Sequence, residues 1–181
     1  MKAYPLILNH AQTVSGSDFQ ANISLVCAVL LRWDEADQVW SCEPVRPNIL
    51  WAGGQTIEEA IEDVRSSFTE SFAAIAHGET HESFEKVMRG IVEQINTDAS
   101  SAWTEALRSL RAGTQVTEER IGSLRSEKVD GDEPPCLMKI VGSVDVKTMV
   151  AYSQSPNPSP LLDAMLAHQP LAANNDLAQA A

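Results

Sequence analysis

The sequence feature that most constrains the fold is a long apolar run from Ile23 to Trp33. Only Ser24 and Arg32 interrupt it, and its β-branched and aromatic residues favour a strand. A strand with one solvated face alternates apolar and polar residues, whereas a nearly continuous run indicates that both faces are at least partly covered. We therefore predict a strand with packing against each of its faces.

A hairpin is predicted directly after this run. Asp34 to Asp37 form a short polar turn, and Val39 to Glu43 have the character of a partner strand. The segment Pro44 to Asn48 ends that strand, because proline has no N–H to donate to a ladder. We expect a short third strand over Ile49 to Ala52.

Three of the four tryptophans fall on this predicted sheet. Trp33 and Trp40 flank the turn and are expected to pair across it, and Trp51 lies on the third strand. Aromatic residues on a small sheet either build the core against a helix or form an exposed patch for a partner. The sequence leaves both interpretations open.

The clearest helix is predicted over residues 56–77. Thr56 and Glu59 have the spacing of a capping box, and Gly78 is a suitable stop. Apolar residues recur at steps of three or four, as in a helix with one buried face. That stripe comprises Ile57, Ala60, Ile61, Val64, Phe68, Phe72 and Ile75. We expect this helix to pack on the hairpin sheet.

The remaining chain divides into an extension, a helical block and a tail. Residues 1–22 are expected to be an N-terminal extension with a short edge strand at Tyr4–Leu8. Further helices are predicted from Thr80, over residues 100–112 and over 117–128, followed by a strand over 137–146. The predicted domain thus spans 23–152 with a helical insertion at about 80–130. Residues 153–181 form a proline-rich linker and a tail.

These elements predict the α+β class. We expect a small antiparallel sheet of three to four strands, one long amphipathic helix packed on it, and a helical extension. A sheet this small is usually stabilised by packing or pairing with another element, so we also expect a homo-oligomer formed through an edge strand.

The charge of the chain limits its partners. It holds 25 acids against 13 bases, a net charge of −12, and residues 56–133 carry −9 of that charge. A protein that holds nucleic acid needs a basic face, so direct nucleic-acid binding is not expected. The excess of acidic side chains in residues 56–133 either keeps the helical block soluble or complements a basic partner.

The sequence lacks the signals of a membrane-spanning protein and of a secreted protein. No apolar run is long enough for a membrane span, and no secretory signal is visible. Three cysteines, an odd number, suggest free thiols in a reducing cytoplasm.

Two segments in a fixed order carry a family resemblance. Val29 to Asn48 shows a strand, an acidic turn, a strand and Pro-x-x-Pro, and Gly54 to Ala60 reads Gly-Gln-Thr-Ile-Glu-Glu-Ala. This order resembles the HicB-like antitoxin family. Its members show a turn rich in Asp, Glu and Gly, a Pro-Asp-Leu-Pro-Gly-like segment, and Gly-Asp-Thr-x-Glu-Glu-Ala at a helix start. The resemblance covers about residues 23–76, with the strand expected at 137–146.

The chain departs from the family pattern in several places. Val45-Arg46 replaces Asp-Leu, Asn48 replaces a glycine, and Gln55 replaces an aspartate. About sixty residues separate the first helix from the last predicted strand, and the tail matches neither DNA-binding module that members often carry. The resemblance implies a partial RNase H-like fold without nuclease activity. It also implies neutralisation of a small basic RNA-cleaving toxin by covering its RNA-binding surface.

No constellation of residues predicts an enzyme, a metal site or a cofactor. Two-metal nuclease chemistry needs converging carboxylates, but the predicted strands hold only Glu43 and Asp145. His77 and His81 are separated by a helix stop, so we do not expect them to share a metal. Cys27 and Cys42 lie on the two arms of the hairpin and are expected as core thiols, and Cys136 has no partner at metal-ligand spacing.

A helix-turn-helix over residues 106–128 is an alternative interpretation. Five basic residues of this stretch could contact phosphates, but acids in the same stretch cancel much of the field. The five are Arg108, Arg111, Arg120, Arg125 and Lys128. Ordinary helical packing is the favoured interpretation.

We therefore expect a non-catalytic cytoplasmic binding protein of the antitoxin type with a basic protein partner. The alternatives are a structural, adaptor or nucleic-acid-mimicking subunit of a phage-related defence or counter-defence assembly, and, more weakly, a transcriptional regulator. The expected partner-binding residues are the acids of the turn and of the first two turns of the helix: Asp34, Glu35, Asp37, Glu58, Glu59, Glu62 and Asp63.

Overall fold

The computed structural model describes residues 2–49, 52–114, 131–142 and 148–152, without the side chains of the last range. These residues form six strands and three helices, and the predicted α+β class is confirmed. The elements in chain order are β1 (Ala3–Ser15), β2 (Gln20–Asp34), β3 (Val39–Pro44), β4 (Ala52–Gly54), α1 (Ile57–Ala76), α2 (His81–Glu93), α3 (Thr97–Arg111), β5 (Cys136–Gly142) and β6 (Thr148–Tyr152).

β2 organises the sheet. β1 pairs with it antiparallel along its whole length, from Ala3 opposite Arg32 to Ser15 opposite Gln20. The other edge of β2 is shared by β3 and β5, giving the order β4-β3-β2-β5-β6. The described sheet thus has six strands rather than the predicted three to four.

β3 and β5 lie end to end against β2, like two halves of one interrupted strand. β3 pairs with residues 29–34 of β2, and β5 pairs with residues 21–27. Ala28 joins the halves, because its N–H donates to the Pro135 carbonyl (2.8 Å) and its carbonyl accepts from the Val45 N–H (2.9 Å). Residues 45–135, which include β4 and the three helices, are therefore an insertion between the two halves of this interrupted strand.

The N-terminal segment differs most from its prediction. Residues 1–22 were expected as an extension with a short strand at Tyr4–Leu8, but β1 continues to Ser15 and β2 already begins at Gln20. The inward positions of β1 after Leu8 are His10, Gln12 and Val14, so polar residues on the core side hide the alternation. The inward-facing amide of Gln12 is satisfied there, because its Nε2 donates to the Thr69 carbonyl of α1 (3.2 Å).

α1 and α2 cover one face of the sheet. The capping box predicted at Thr56 and Glu59 is present, and α1 buries the expected stripe through Phe68 and Phe72. α2 adds Phe84 and Met88 to the same core cluster, which also contains Leu25, Cys27, Val29 and Leu31 of β2. Burying this continuous apolar layer is the main stabilisation of the domain.

α3 covers the opposite face. Val26, Ala28 and Leu30 of β2 point there and pack with Trp103 and Leu107 of α3 in a second core cluster. The residues of β2 from Leu25 to Leu31 are all fully buried, so the prediction of two covered faces is confirmed. The third helix was expected to belong to a helical extension, but it is instead a layer of the domain.

Several predicted elements lie outside the described residues. These are the helix expected at residues 117–128, the end of the strand expected at 137–146, the linker and tail at 153–181, and Trp51. Glycines 53 and 54, expected to end the third strand, belong to β4.

Candidate functional site

One end of the sheet brings the predicted acidic residues together. Trp40 of β3 pairs with Gly54 of β4, and α1 begins three residues later at Ile57. The β2–β3 turn and the first turns of α1 therefore lie at the same end of the sheet. We call this surface the acidic end, and its carboxylates belong to Asp34, Glu35, Asp37, Glu58, Glu59, Glu62 and Asp63.

Three of these carboxylates are occupied by backbone groups. Glu59 Oε2 accepts from the Gln55 and Thr56 N–H groups at 2.8 and 3.2 Å, which completes the capping box. Asp63 Oδ2 accepts from the Gly53 N–H at 3.1 Å and holds β4 to α1.

Asp34 is the third, and its Oδ1 accepts from the Ala36 N–H at 2.8 Å within the turn. These three acids shape the surface and do not offer a fully free carboxylate to a partner. Their role in partner binding stays a prediction, and each has one carboxylate oxygen engaged by the backbone.

The remaining four carboxylates face solvent. Glu62 Oε2 lies 3.4 Å from Arg65 NH1, with its side chain 72% exposed, so this ion pair is weak. The side chains of Glu35, Asp37 and Glu58 are exposed, and their carboxylates form no hydrogen bond or ion pair with the other described residues. They are the acids at this end that a basic partner can engage without breaking an internal contact.

An aromatic pair lies beside the turn. The rings of Trp33 and Trp40 are 5.2 Å apart between centroids, which confirms the predicted cross-strand pairing, and Tyr4 lies 6.1 Å from Trp40. The Trp33 N–H donates to the carbonyl of Lys2, the residue just before β1, so the backbone N–H of Trp33 points away from β3. Trp33 and Trp40 are thus a non-hydrogen-bonded pair, the arrangement in which opposite side chains lie closest. Both are half-buried, so part of each ring remains accessible.

The three cysteines are buried in the core beneath α1. Burial raises the pKa of Cys42 and of Cys136 to about 12, and raises the pKa of Cys27 well above its usual value. Protonated, inaccessible thiols are poor nucleophiles and poor metal ligands. The strand register places Cys27 opposite Cys136, whereas Cys42 lies opposite Leu31. The sequence did not predict a partner for Cys136, because the insertion separates the two positions along the chain.

His77 and His81 lie at the end of α1 and at the start of α2. His77 is the C-cap of α1, and the His81 N–H donates to Asp18 Oδ1 (2.9 Å) while its ring stacks edge-on against Phe19. Within the described ranges no group of three or more His, Cys, Asp or Glu side chains is placed to hold a metal ion.

His10 is a buried histidine that sequence reasoning did not single out. Only 8% of it is exposed, and its ring lies 5.6 and 6.1 Å from the rings of Phe68 and Phe72. Its Nε2 lies 2.6 Å from Gln12 Oε1, which acts as the acceptor because Gln12 Nε2 donates to α1. Burial lowers the pKa of His10, and the nearby Arg65 charge lowers it further, while the Gln12 hydrogen bond opposes them.

Stability is expected to fall as the pH is lowered through the range in which His10 titrates. The folded state holds His10 with a pKa below its usual 6.5, so the unfolded chain binds the proton more readily. The contribution is therefore complete above pH 6.5 and is lost as the pH falls towards and through the folded pKa. Urea unfolding at pH 7.5, 6.5 and 5.5 measures it, and His10→Gln should give a smaller decline than the wild type. Equal declines would contradict this assignment.

The arginines of the proposed helix-turn-helix are already engaged where the structure describes them. Arg108 Nε and Arg111 NH1 bind the two carboxylate oxygens of Asp132 at 3.1 and 2.8 Å. Trp103 and Leu107 turn the other side of α3 into the core. α3 therefore serves as a packing layer, and the rest of that segment lies at residues 115–130, outside the described ranges.

The comparisons with known proteins add no relative. No family model matches the chain, and no curated protein or solved structure is similar to it. Among the helices of the described ranges, none is both long and apolar enough to cross a membrane.

Proposed function

We propose that this chain is a non-catalytic binding protein that holds a basic protein partner against its acidic end. The observation that carries the proposal is that three uncommitted carboxylates, Glu35, Asp37 and Glu58, lie at the same end of the sheet as the half-buried Trp33–Trp40 pair. Partly buried tryptophans act as anchors in interfaces, and surrounding charges steer an oppositely charged partner towards them.

The resemblance to HicB-like antitoxins makes a small basic RNA-cleaving toxin the first partner to test. The layout on which it rests, β2, acidic turn, β3, β4 and capped α1, is continuous in space as well as in sequence. The chain adds a full-length β1, two further helices and β6 to that layout, and β5 corresponds to the last strand that the resemblance includes. The proposal therefore concerns the hairpin end, where the resemblance is located.

A binding role also agrees with how the polar groups of this end are used. Glu59, Asp63 and Asp34 accept hydrogen bonds from the backbone and do not converge on a common point. The free acids lie on exposed, convex elements, a turn and the outside of a helix, which suits contact with another macromolecule. Self-association through a sheet edge and location in the cytoplasm stay predictions.

The proposal is tested by charge reversal with a matched control. We expect Glu35→Lys/Glu58→Lys to lower the association rate constant about tenfold at low salt, because it removes steering charges at the acidic end. Where a small basic reading frame lies adjacent to this gene, its product is co-expressed and purified with the chain as the partner; otherwise the partner is captured by pull-down from the native host and identified by mass spectrometry. The measurement is biolayer interferometry at low and at high salt.

The control is Glu82→Lys/Glu93→Lys on α2. It changes the net charge by the same amount. Like Glu58 in α1, Glu82 lies in the first turn of its helix, so each variant replaces one acid of a first turn. We expect the control to stay within about twofold of the wild-type association rate constant. Equal slowing by both variants would show that only net charge matters and would reject the acidic end as the binding surface.

A further inference from the structure

Two of the three buried thiols face each other directly across the sheet. Cys27 of β2 and Cys136 of β5 occupy opposite positions in the strand register, next to the point where the strand is interrupted. Both side chains point to the face covered by α1 and α2, where they are 0% and 1% exposed. Cys42 is equally buried but lies opposite Leu31 on β2.

The hydrogen bonds around Ala28 define the geometry of this pair. The Ala28 N–H donates to the Pro135 carbonyl, so Ala28 and Pro135 form a hydrogen-bonded pair. The next pair along the ladder, Cys27 and Cys136, must then be a non-hydrogen-bonded pair. In such a pair the Cα atoms lie about 4.5 Å apart. That separation falls within the roughly 4.4–6.8 Å that a disulfide bridges.

We propose that Cys27 and Cys136 are an oxidisable pair, which a low-molecular-weight disulfide converts into one cross-strand disulfide tying β5 to β2. This inference is independent of the proposed partner-binding function. Cys42 takes no part, because its position on β3 has an apolar residue opposite it.

The chemistry is two successive thiol–disulfide exchanges. One protein thiolate attacks a sulfur of the small disulfide, releases one small thiol and leaves a mixed disulfide on the protein. The second protein thiolate then attacks the protein sulfur of that mixed disulfide and releases the second small thiol. Two protein thiols and one small disulfide become one protein disulfide and two small thiols, with two electrons transferred to the oxidant.

The disulfide would fix the one contact through which the β5–β6 hairpin joins the sheet. β6 pairs with β5, and β5 joins the rest of the sheet by pairing with β2. Because both sulfurs are buried, the oxidant reaches them when β5 separates from β2, and the bond forms as the strands close again. Oxidation therefore converts a separable strand pair into a permanent one.

The test treats the full-length chain with excess oxidised glutathione and then blocks the remaining thiols with N-ethylmaleimide. Intact mass should show the loss of two hydrogen atoms, the gain of one N-ethylmaleimide on Cys42 and no retained glutathione. Non-reducing peptide mapping should show one peptide pair joining Cys27 to Cys136. Cys42→Ala should give the same product, whereas Cys136→Ala and Cys27→Ala should give none. If one of the last two does not fold, the other serves alone.

Thermal unfolding gives a second readout. A bond closing a loop of about 100 residues should raise the unfolding midpoint of oxidised Cys42→Ala by roughly 5–15 °C, and a reducing agent should reverse the shift. A stable glutathione adduct without the cross-link, a cross-link through Cys42, or a lowered midpoint would each overturn the proposal. The oxidation is also repeated at a series of urea concentrations below the unfolding transition, which promote separation of β5 from β2. Absence of the Cys27–Cys136 bond at all of them would likewise overturn the proposal.

Discussion

Replacing Trp103 by alanine is expected to lower the free energy of unfolding by about 3–5 kcal/mol, because it removes the largest side chain of the second core cluster. Trp103 is fully buried against Ile7, Val26 and Leu30, and its Nε1–H donates to the Leu6 carbonyl at 3.3 Å. The alanine leaves a cavity beneath α3 and removes the indole hydrogen bond to the Leu6 carbonyl. Urea unfolding followed by circular dichroism measures the loss.

Two further substitutions separate the causes. Trp103→Phe keeps most of the apolar volume and removes the donor, so it should cost clearly less than alanine. Glu105→Ala changes an exposed residue of the same helix and should stay within about 0.5 kcal/mol of the wild type. A loss below about 1 kcal/mol for Trp103→Ala would mean that α3 lies outside the cooperative unit, as a true extension would.

The second large effect is expected at Gly54, where β4 touches the start of α1. A Cβ added at this position would lie 2.5 Å from Glu59 Cβ, 2.7 Å from the Ala60 nitrogen and 2.9 Å from the Glu59 carbonyl carbon. Two of these atoms belong to the helix backbone, so no side-chain rotation relieves the contact. Gly54→Ala should therefore destabilise the fold by about 1–3 kcal/mol and displace the first turn of α1.

Gly90→Ala is the matched control for this substitution. Gly90 lies within α2, and no atom lies within 4 Å of a Cβ added there. Alanine should stabilise the helix at this position by roughly 0.5–1 kcal/mol, so the same chemical change has opposite signs at the two sites. If Gly54→Ala unfolds at the wild-type urea midpoint, the close approach of β4 to α1 is not as tight as described.

Gly54→Ala also bears on the proposed partner surface. The tight contact fixes where α1 begins relative to the β2–β3 turn, and it thereby sets the spacing between Glu58 and the acids of the turn. A variant that remains folded but has a shifted α1 should bind the basic partner more weakly than its stability alone would explain.

The elements predicted correctly are those with strong local signals. The capping box at Thr56, the stripe through Phe68, and the Asp34–Asp37 turn are set by residues only a few positions apart. The apolar run of β2 indicated two covered faces, but periodicity within α3 cannot say which face of a sheet it will cover. The face that α3 covers is set by the connection at Asn96. The Asn96 N–H donates to the Val45 carbonyl, beside the point where β3 ends and β5 begins along β2.

The sequence identified the acids of the candidate surface but not their individual contacts. Its acids lie at one end of the sheet as a short hairpin requires, and the capping box itself implied that Glu59 was occupied. The roles of Asp63 and Asp34 depend on the Gly53 and Ala36 N–H groups, whose direction is set by the folded backbone. His10 was hidden because a polar residue on the core side of β1 breaks the strand pattern.

The interrupted strand also sets an order of events during synthesis. β1, β2 and β3 are consecutive in the chain and can pair as soon as residue 44 has emerged from the ribosome. Residues 21–27 of β2 must then wait for β5, which is made only after the insertion 45–135. Through that interval β2 presents an unpaired edge to the crowded cell, and unpaired edges are where other chains add on. The half of β2 between Ala21 and Cys27 is therefore the segment most in need of protection while the protein is being made.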